Sequence, residues 1–265
     1  MRTFSESYLE RTREGMWADS RAALEPLALD SRERVLDVGC GTGELSRVLD
    51  AECAGEVIGC DADPDLLSVA REQVPVVAGD AFQLPLHDDA VDLVVCQALL
   101  INLPEPAAAA VEFARVSNDL VAAVEPNNAA VDVDSSVDAE GRLEKRARSA
   151  YIDGVDTDVA LGADAREAFE EAGLEVLETR RYDHVRTVEP PYSDAALEAA
   201  RRKALGTGLA DDRETMLAGE LTEGGYDDLR REWRKMGRDV IDQMASRAYR
   251  REETVPFFVT VARVP

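Results

Sequence analysis

Three alternate glycines behind an aspartate, in Val35-Leu-Asp-Val-Gly-Cys-Gly-Thr-Gly-Glu-Leu-Ser46, are the residues of this chain best suited to holding a ligand. An apolar run leads into Gly39, Gly41 and Gly43, and a helical stretch leaves them. Without a Cβ at these positions the backbone can turn sharply at the end of a strand, and a ligand can approach the main chain closely. A nucleoside-bearing cofactor suits such a loop. The spacing discriminates between cofactors: a dinucleotide fingerprint would put its third glycine at position 44, where this chain has Glu44. The carboxylate of Asp37, just ahead of the loop, would repel a pyrophosphate and attract an ammonium or sulfonium.

Acid–base and metal chemistry find less support. The only histidines are His87, in a polar turn, and His184, after a late strand; His184 is the weak candidate for a base beside a substrate. Two separated histidines and four cysteines without C-x-x-C spacing predict no metal site. Cys40, Cys53, Cys60 and Cys96 read as reduced, structural thiols. The Ser/His/Asp combinations lack a nucleophile elbow.

The elements that must position the loop alternate. Strands are expected near 33–39, 56–61, 75–79, 90–96, 118–125, 174–183 and 256–264, with helices near 43–51, 64–73, 105–116 and 164–172. That alternation predicts a doubly wound, mostly parallel α/β sheet of seven strands with ligands at the strands' carboxyl ends. Residues 5–28 carry helical periodicity. After Glu125-Pro-Asn-Asn128 the chain turns acidic and turn-rich to Gly141, and 193–250 read as charged and helical, with Tyr226, Leu229, Trp233, Met236, Val240 and Met244 forming one apolar stripe for core packing. The expected organisation is an N-terminal cap helix over 1–30, a cofactor-binding core over 31–183, a helical cap insertion over 184–250 and a final core strand over 251–265.

The order of motifs resembles the class I S-adenosylmethionine-dependent methyltransferases with their Rossmann-like fold. The glycine loop matches the family's first motif, Val57-Ile-Gly-Cys-Asp-Ala-Asp63 a second strand ending in an acid, Val76-Val-Ala-Gly-Asp-Ala-Phe82 a third, and Val91-Asp-Leu-Val-Val-Cys-Gln97 a fourth. The resemblance implies that Asp37, Gly39, Cys40 and Gly41 line the cofactor. It assigns Asp61, with Ala62 beside it, to the ribose hydroxyls, Asp80, Ala81 and Phe82 to the adenine, and Gln97 to the methionine part. Arg13 is the expected partner of the cofactor's carboxylate. Glu125, Asn127 and Asn128 follow the fifth strand where the family faces its acceptor, and Tyr151 and Tyr192 are further substrate candidates in the cap segments. The resemblance implies methyl transfer from S-adenosylmethionine to a small molecule. An RNA methyltransferase, an NAD-dependent dehydrogenase and a non-catalytic cofactor-binding protein are the alternatives; Glu44 disfavours the dehydrogenase, and basic clusters interleaved with acids disfavour nucleic acid.

The formal net charge is −24, and Lys145, Lys203 and Lys235 are the only lysines. The profile resembles proteins of salt-accumulating halophilic archaea, whose carboxylate surface stays soluble while salt screens its repulsion. An acidic protein that binds a basic partner is the competing reading. On the first reading the melting temperature rises strongly between about 0.1 and about 3 M KCl, as the screening length falls from about 10 Å to 3 Å or less; a flat profile favours the second. The polar opening Met1-Arg-Thr-Phe-Ser-Glu and the lack of a long apolar run predict a cytoplasmic protein with no membrane contact.

Overall fold

The computed structural model describes residues 16–17 and 21–265. They divide into two compact units, one of 128–160 with 183–256, the other of the remaining residues.

In the first unit β1 (Arg34–Val38), β2 (Glu56–Asp61), β3 (Val76–Ala78), β4 (Val91–Gln97) and β5 (Ser117–Pro126) form a parallel sheet in the order β3-β2-β1-β4-β5. The connecting helices are α1 (Glu44–Glu52), α2 (Pro64–Ala70) and α3 (Pro106–Val116). Local signals start them. Pro64 and Pro106 occupy first-turn positions, where a missing N–H is no loss, and Asp63 caps α2 by accepting from Asp65 N at 2.9 Å. The core gathers Leu36, Val94 and Cys96 of the strands with Phe113 and Val116 of α3 and Phe169 of a later helix, all buried. Residues 22–27 form 3-10 turns rather than the expected α-helix, because Pro26 lacks the N–H an α-helical turn needs. The rest of the predicted N-terminal helix lies outside the described residues.

The second unit begins with β6 (Asp132–Ser135) and α4 (Glu140–Gly154). The chain returns to the first unit for α5 (Ala165–Glu171) and the first half of β7 (Glu175–Val188). α6 (Asp194–Leu205), α7 (Thr207–Asp211), α8 (Arg213–Ala218) and α9 (Glu223–Ala245) complete the second unit's helices, and β8 (Arg251–Arg263) closes the chain. β8 pairs antiparallel with β6 through 251–254 and with β5 through 257–263, and β7 also pairs with β8. Among the described residues the sheet therefore has eight strands where the sequence predicted seven. The additional one is β6, whose Asp132-Val-Asp-Ser135 offers no buried face for a hydrophobic pattern to reveal. The mostly parallel Rossmann-like topology is as expected.

In the second unit the predicted stripe of α9 is a core face. Tyr226, Leu229, Met236, Val240 and Met244 are buried and Trp233 half-buried, packed with Leu143 and Ala147 of α4 and Ala200 of α6. Beside them lies a dense ionic cluster. Glu140 is fully buried and accepts from Tyr249 Oη at 3.0 Å, from Ser135 Oγ at 2.6 Å and from Lys203. Glu144 takes Lys203 Nζ at 2.6 Å and Arg251 at 2.8 Å, while Glu253 pairs with Arg251 and Arg186. Burial alone would raise the Glu253 carboxyl, but the two guanidiniums outweigh it and hold it at about 2. Buried carboxylates persist here because each has a cationic partner.

Candidate cofactor site and comparisons

Cofactor-binding residues of the sequence analysis meet at the carboxyl ends of β1 to β4. Gly39, Gly41 and Gly43 have φ of 69°, 57° and 89°. The N–H groups of Gly39 and Cys40 both donate to Cys60 O, at 2.7 and 3.0 Å, which ties the loop to β2. At Gly39 a Cβ would lie 2.8 Å from Leu99 Cδ1, so that side chain occupies the space the glycine leaves. Asp37 is 1% exposed and accepts from Ser46 Oγ of α1 at 2.5 Å, fixing the helix start against the strand end. Cys40 is buried.

Asp61 is oriented twice over. Its Oδ2 accepts from Gly41 N at 2.8 Å and its Oδ1 from Asp63 N at 2.9 Å. Each carboxylate oxygen can still accept another hydrogen bond. Ala62 beside it is exposed. Gly79 N donates to Asp61 O at 3.0 Å, linking the turn after β3 to the end of β2. Asp80 Oδ1 accepts from Phe82 N at 2.9 Å in an Asx turn, which buries Ala81 and leaves the Phe82 ring 37% exposed. A half-exposed aromatic beside a carboxylate suits a flat heteroaromatic ring with an exocyclic donor.

At the end of β4, Gln97 is buried; Trp17 Nε1 donates to its Oε1 at 3.4 Å, and its Nε2 lies 2.9 Å from Met16 Sδ. Trp17 stacks on Tyr182 at 5.5 Å, and the Tyr182 hydroxyl donates to Met16 O. Residues 16–17 thus sit over the strand end expected to meet the methionine part. Ser46 and Tyr182 were not singled out from the sequence. Ser46 stands in the first turn after the loop, a spacing that could have suggested a partner for Asp37. Arg13 lies outside the described residues.

The substrate candidates are dispersed. Glu125 is fully buried at the end of β5, accepting from Leu99 N and Leu100 N at 3.0 and 2.9 Å and from Ile101 N at 3.4 Å. It faces the turn after β4. Asn127 is half-buried, and Asn128 of the second unit donates to Val159 O at 2.6 Å. His184, Tyr151 and Tyr192 all belong to the second unit. His184 is 3% exposed, and burial together with Arg186 holds its imidazole below the ordinary range. Tyr151 packs against the apolar core there, and Tyr192 donates to Tyr249 O at 3.1 Å. A cavity of about 320 Å³ in that unit is lined by Val133, Asp134, Lys145 and Arg148 among others. Among the described residues no cluster of His, Cys, Asp and Glu could hold a metal, and no helix is long and apolar enough to cross a membrane.

Burial pushes the Glu125 carboxyl up to about 7 despite its three N–H donors. An acid whose folded value lies above its unfolded value near 4.5 contributes stability that is complete below that unfolded value and is lost as pH rises through about 7. His184 acts with the opposite sign, so the test is a difference. Relative to wild type, the stability of Glu125→Gln in urea should rise by up to about 3 kcal/mol between pH 5 and 8. A constant difference across that range would show that Glu125 titrates elsewhere.

Comparison with known proteins agrees with this geometry. Residues 36–119, which hold the glycine loop, Asp61, Asp80 and Gln97, match the methyltransferase domain family. A methyltransferase-like protein of Schizosaccharomyces pombe is 38% identical over 71 residues, 26% of this chain and 28% of that protein. The demethylmenaquinone methyltransferase of Lactiplantibacillus plantarum is 34% identical over 107 residues, 36% of this chain and 45% of that protein. The chain thus spans less than half the length of these curated relatives. The fold is shared with a Bacillus halodurans methyltransferase structure at a TM-score of 0.55 and 20% identity, covering 94% of this chain and 99% of that one. Residues 36–119 of this chain carry a methyltransferase domain.

Proposed function

We propose that this protein transfers a methyl group from S-adenosylmethionine to a small-molecule acceptor. The observation that carries the reading is the paired acids: Asp61, set by the glycine loop's own N–H, and Asp80, set beside an exposed phenyl ring. These residues fit the cofactor. Asp61 has acceptor capacity left for a ribose diol, Phe82 offers a face for adenine, and the φ of 57° at Gly41 brings bare backbone to the ligand. When bound, the cofactor supplies an electrophilic methyl on a sulfonium.

The chain's own residues bind, orient and exclude water. Displacement at a methyl group requires collinear donor and acceptor, so most of the acceleration can come from positioning. Asp37, within the strand end and tied to Ser46, places negative potential at the loop, which favours a cationic ligand over a pyrophosphate. The name of the Lactiplantibacillus plantarum relative, a demethylmenaquinone methyltransferase, supports an acceptor of small-molecule type.

Calorimetry with S-adenosylhomocysteine and with NAD tests the cofactor, and labelled S-adenosylmethionine offered with separated metabolite and RNA fractions tests the acceptor. Tight binding of the first nucleoside alone and label in the low-mass fraction are expected. Preference for NAD overturns the cofactor reading; label in RNA, or binding without transfer to either fraction, overturns the acceptor reading.

A further inference from the structure

The turn that follows β4 is held in an unusual way. Ala98 has φ of 50°, a left-handed conformation disfavoured for a residue other than glycine. Such a residue persists where its surroundings over-determine it. Ala98 N donates to Val124 O at 2.9 Å, and Asn102 Nδ2 returns to Ala98 O at 2.7 Å. The next three N–H groups, of Leu99, Leu100 and Ile101, all converge on the Glu125 carboxylate. One side chain thus sets the course of the turn. Leu99 in turn places its side chain where Gly39 has none, and Gln97 immediately precedes the strained residue.

We propose that Glu125 is a positioning residue for the cofactor site: by gathering the N–H groups of 99–101 it seats Leu99 against Gly39 and fixes the glycine loop in its ligand-ready form. The proposal rests on the reading of 39–43 as the cofactor loop. It departs from the family-based expectation that Glu125 meets the acceptor.

An ionised carboxylate serves this purpose better than a neutral one. It can accept all three bonds with charge assistance, whereas protonation gives up part of that acceptor capacity and adds a donor. Facing Glu125 is the thiol of Cys96 on β4, whose Sγ lies 3.8 Å from Oε1, and Asp37 on β1 acts on the same thiol. Burial first, and then the carboxylates of Glu125 and Asp37, push the Cys96 thiol well above its ordinary value, so it stays a neutral donor. Across the β8 pairing Glu125 faces Phe258, which carries no charge. With its carboxyl at about 7, Glu125 changes charge in the physiological range. Ionisation costs global stability yet orders the turn, so the two readouts should move in opposite directions.

The experiment measures S-adenosylhomocysteine affinity by calorimetry from pH 6 to 8.5, together with hydrogen exchange at 39–43 and 98–102, in wild type and Glu125→Gln. Wild-type affinity should strengthen by about tenfold across this range while the contribution of Glu125 to folding stability falls. Glu125→Gln should bind about tenfold more weakly at pH 8 with a flattened pH profile, and should lose exchange protection at both segments. Leu99→Ala, which leaves Glu125 and its bonds in place, should reproduce the weaker binding and the lost protection at 39–43 alone. Unchanged protection of 39–43 in a folded Glu125→Gln protein overturns the proposal, as does an unaltered pH profile. If Glu125→Gln does not fold, the wild-type profile and Leu99→Ala decide. Wild type that binds no S-adenosylhomocysteine rejects the cofactor reading, while the exchange comparison still judges the coupling of Glu125 to the loop.

Discussion

Asp61→Ala should weaken S-adenosylhomocysteine binding by about 2–3 kcal/mol, roughly 30- to 150-fold in Kd. The carboxylate accepts from Gly41 N and Asp63 N, so its loss removes the proposed partner of the ribose hydroxyls and the fastening of the loop together. Hydrogen bonds to a charged acceptor are the stronger kind, and donors left without one are costly. Asp61→Asn retains one carbonyl acceptor and should fall between the two proteins. Calorimetry on folded variants measures the effect; an unchanged Kd for Asp61→Ala would remove this residue from the site.

Gly237→Ala should destabilise the second unit by about 3 kcal/mol or more. Gly237 sits within α9 where α6 crosses it, and a Cβ there would lie 2.3 Å from Ala204 N and 2.4 Å from Lys203 C. Both atoms are backbone, so α6 must move away and the pairs that Lys203 makes with Glu140 and Glu144 must stretch. Gly224 on the same helix has nothing within 4 Å of its added Cβ. Gly224→Ala should therefore gain about 0.4–1 kcal/mol through a less disordered unfolded state. Urea denaturation of both variants tests the contrast, and similar effects would dismiss the close helix crossing as their cause.

The fold was largely legible in the sequence, and so was the gathering of the expected donor-side residues at the strand ends, because both depend on local signals. Alternating apolar runs mark parallel strands buried on both faces, and glycines and acids at the strand ends mark where a ligand meets the backbone. What was not legible depends on register. Glu125 stands in Glu-Pro-Asn-Asn, which reads as a polar segment after a strand, yet the pairing of Val124 with Gln97 turns it beneath the neighbouring turn. Ala98 carries no sign of a positive φ, since that conformation is imposed by partners at 102 and 124. β6 has no signature in the sequence because a short alternation of aspartate and valine without a buried face resembles any acidic loop. The ionic cluster of Glu140, Glu144, Lys203 and Arg251 joins residues as far apart in the chain as Glu140 and Arg251, a separation that sequence spacing does not register.

The pairing of β5 with β8 has a consequence for the order in which the chain emerges from the ribosome. β5 is complete at residue 126 but its antiparallel neighbour begins its pairing at 257, so 130 residues separate them. At about 5–20 residues per second this interval lasts roughly 7–26 s. Throughout it the outer edge of an apolar strand, Leu120-Val-Ala-Ala-Val124, has no native partner, while the four parallel strands beside it are already made. An open apolar edge is a template for pairing with another chain. The nascent protein therefore passes through a window in which chaperone protection or slow initiation matters most, and the window closes only with the synthesis of its last strand.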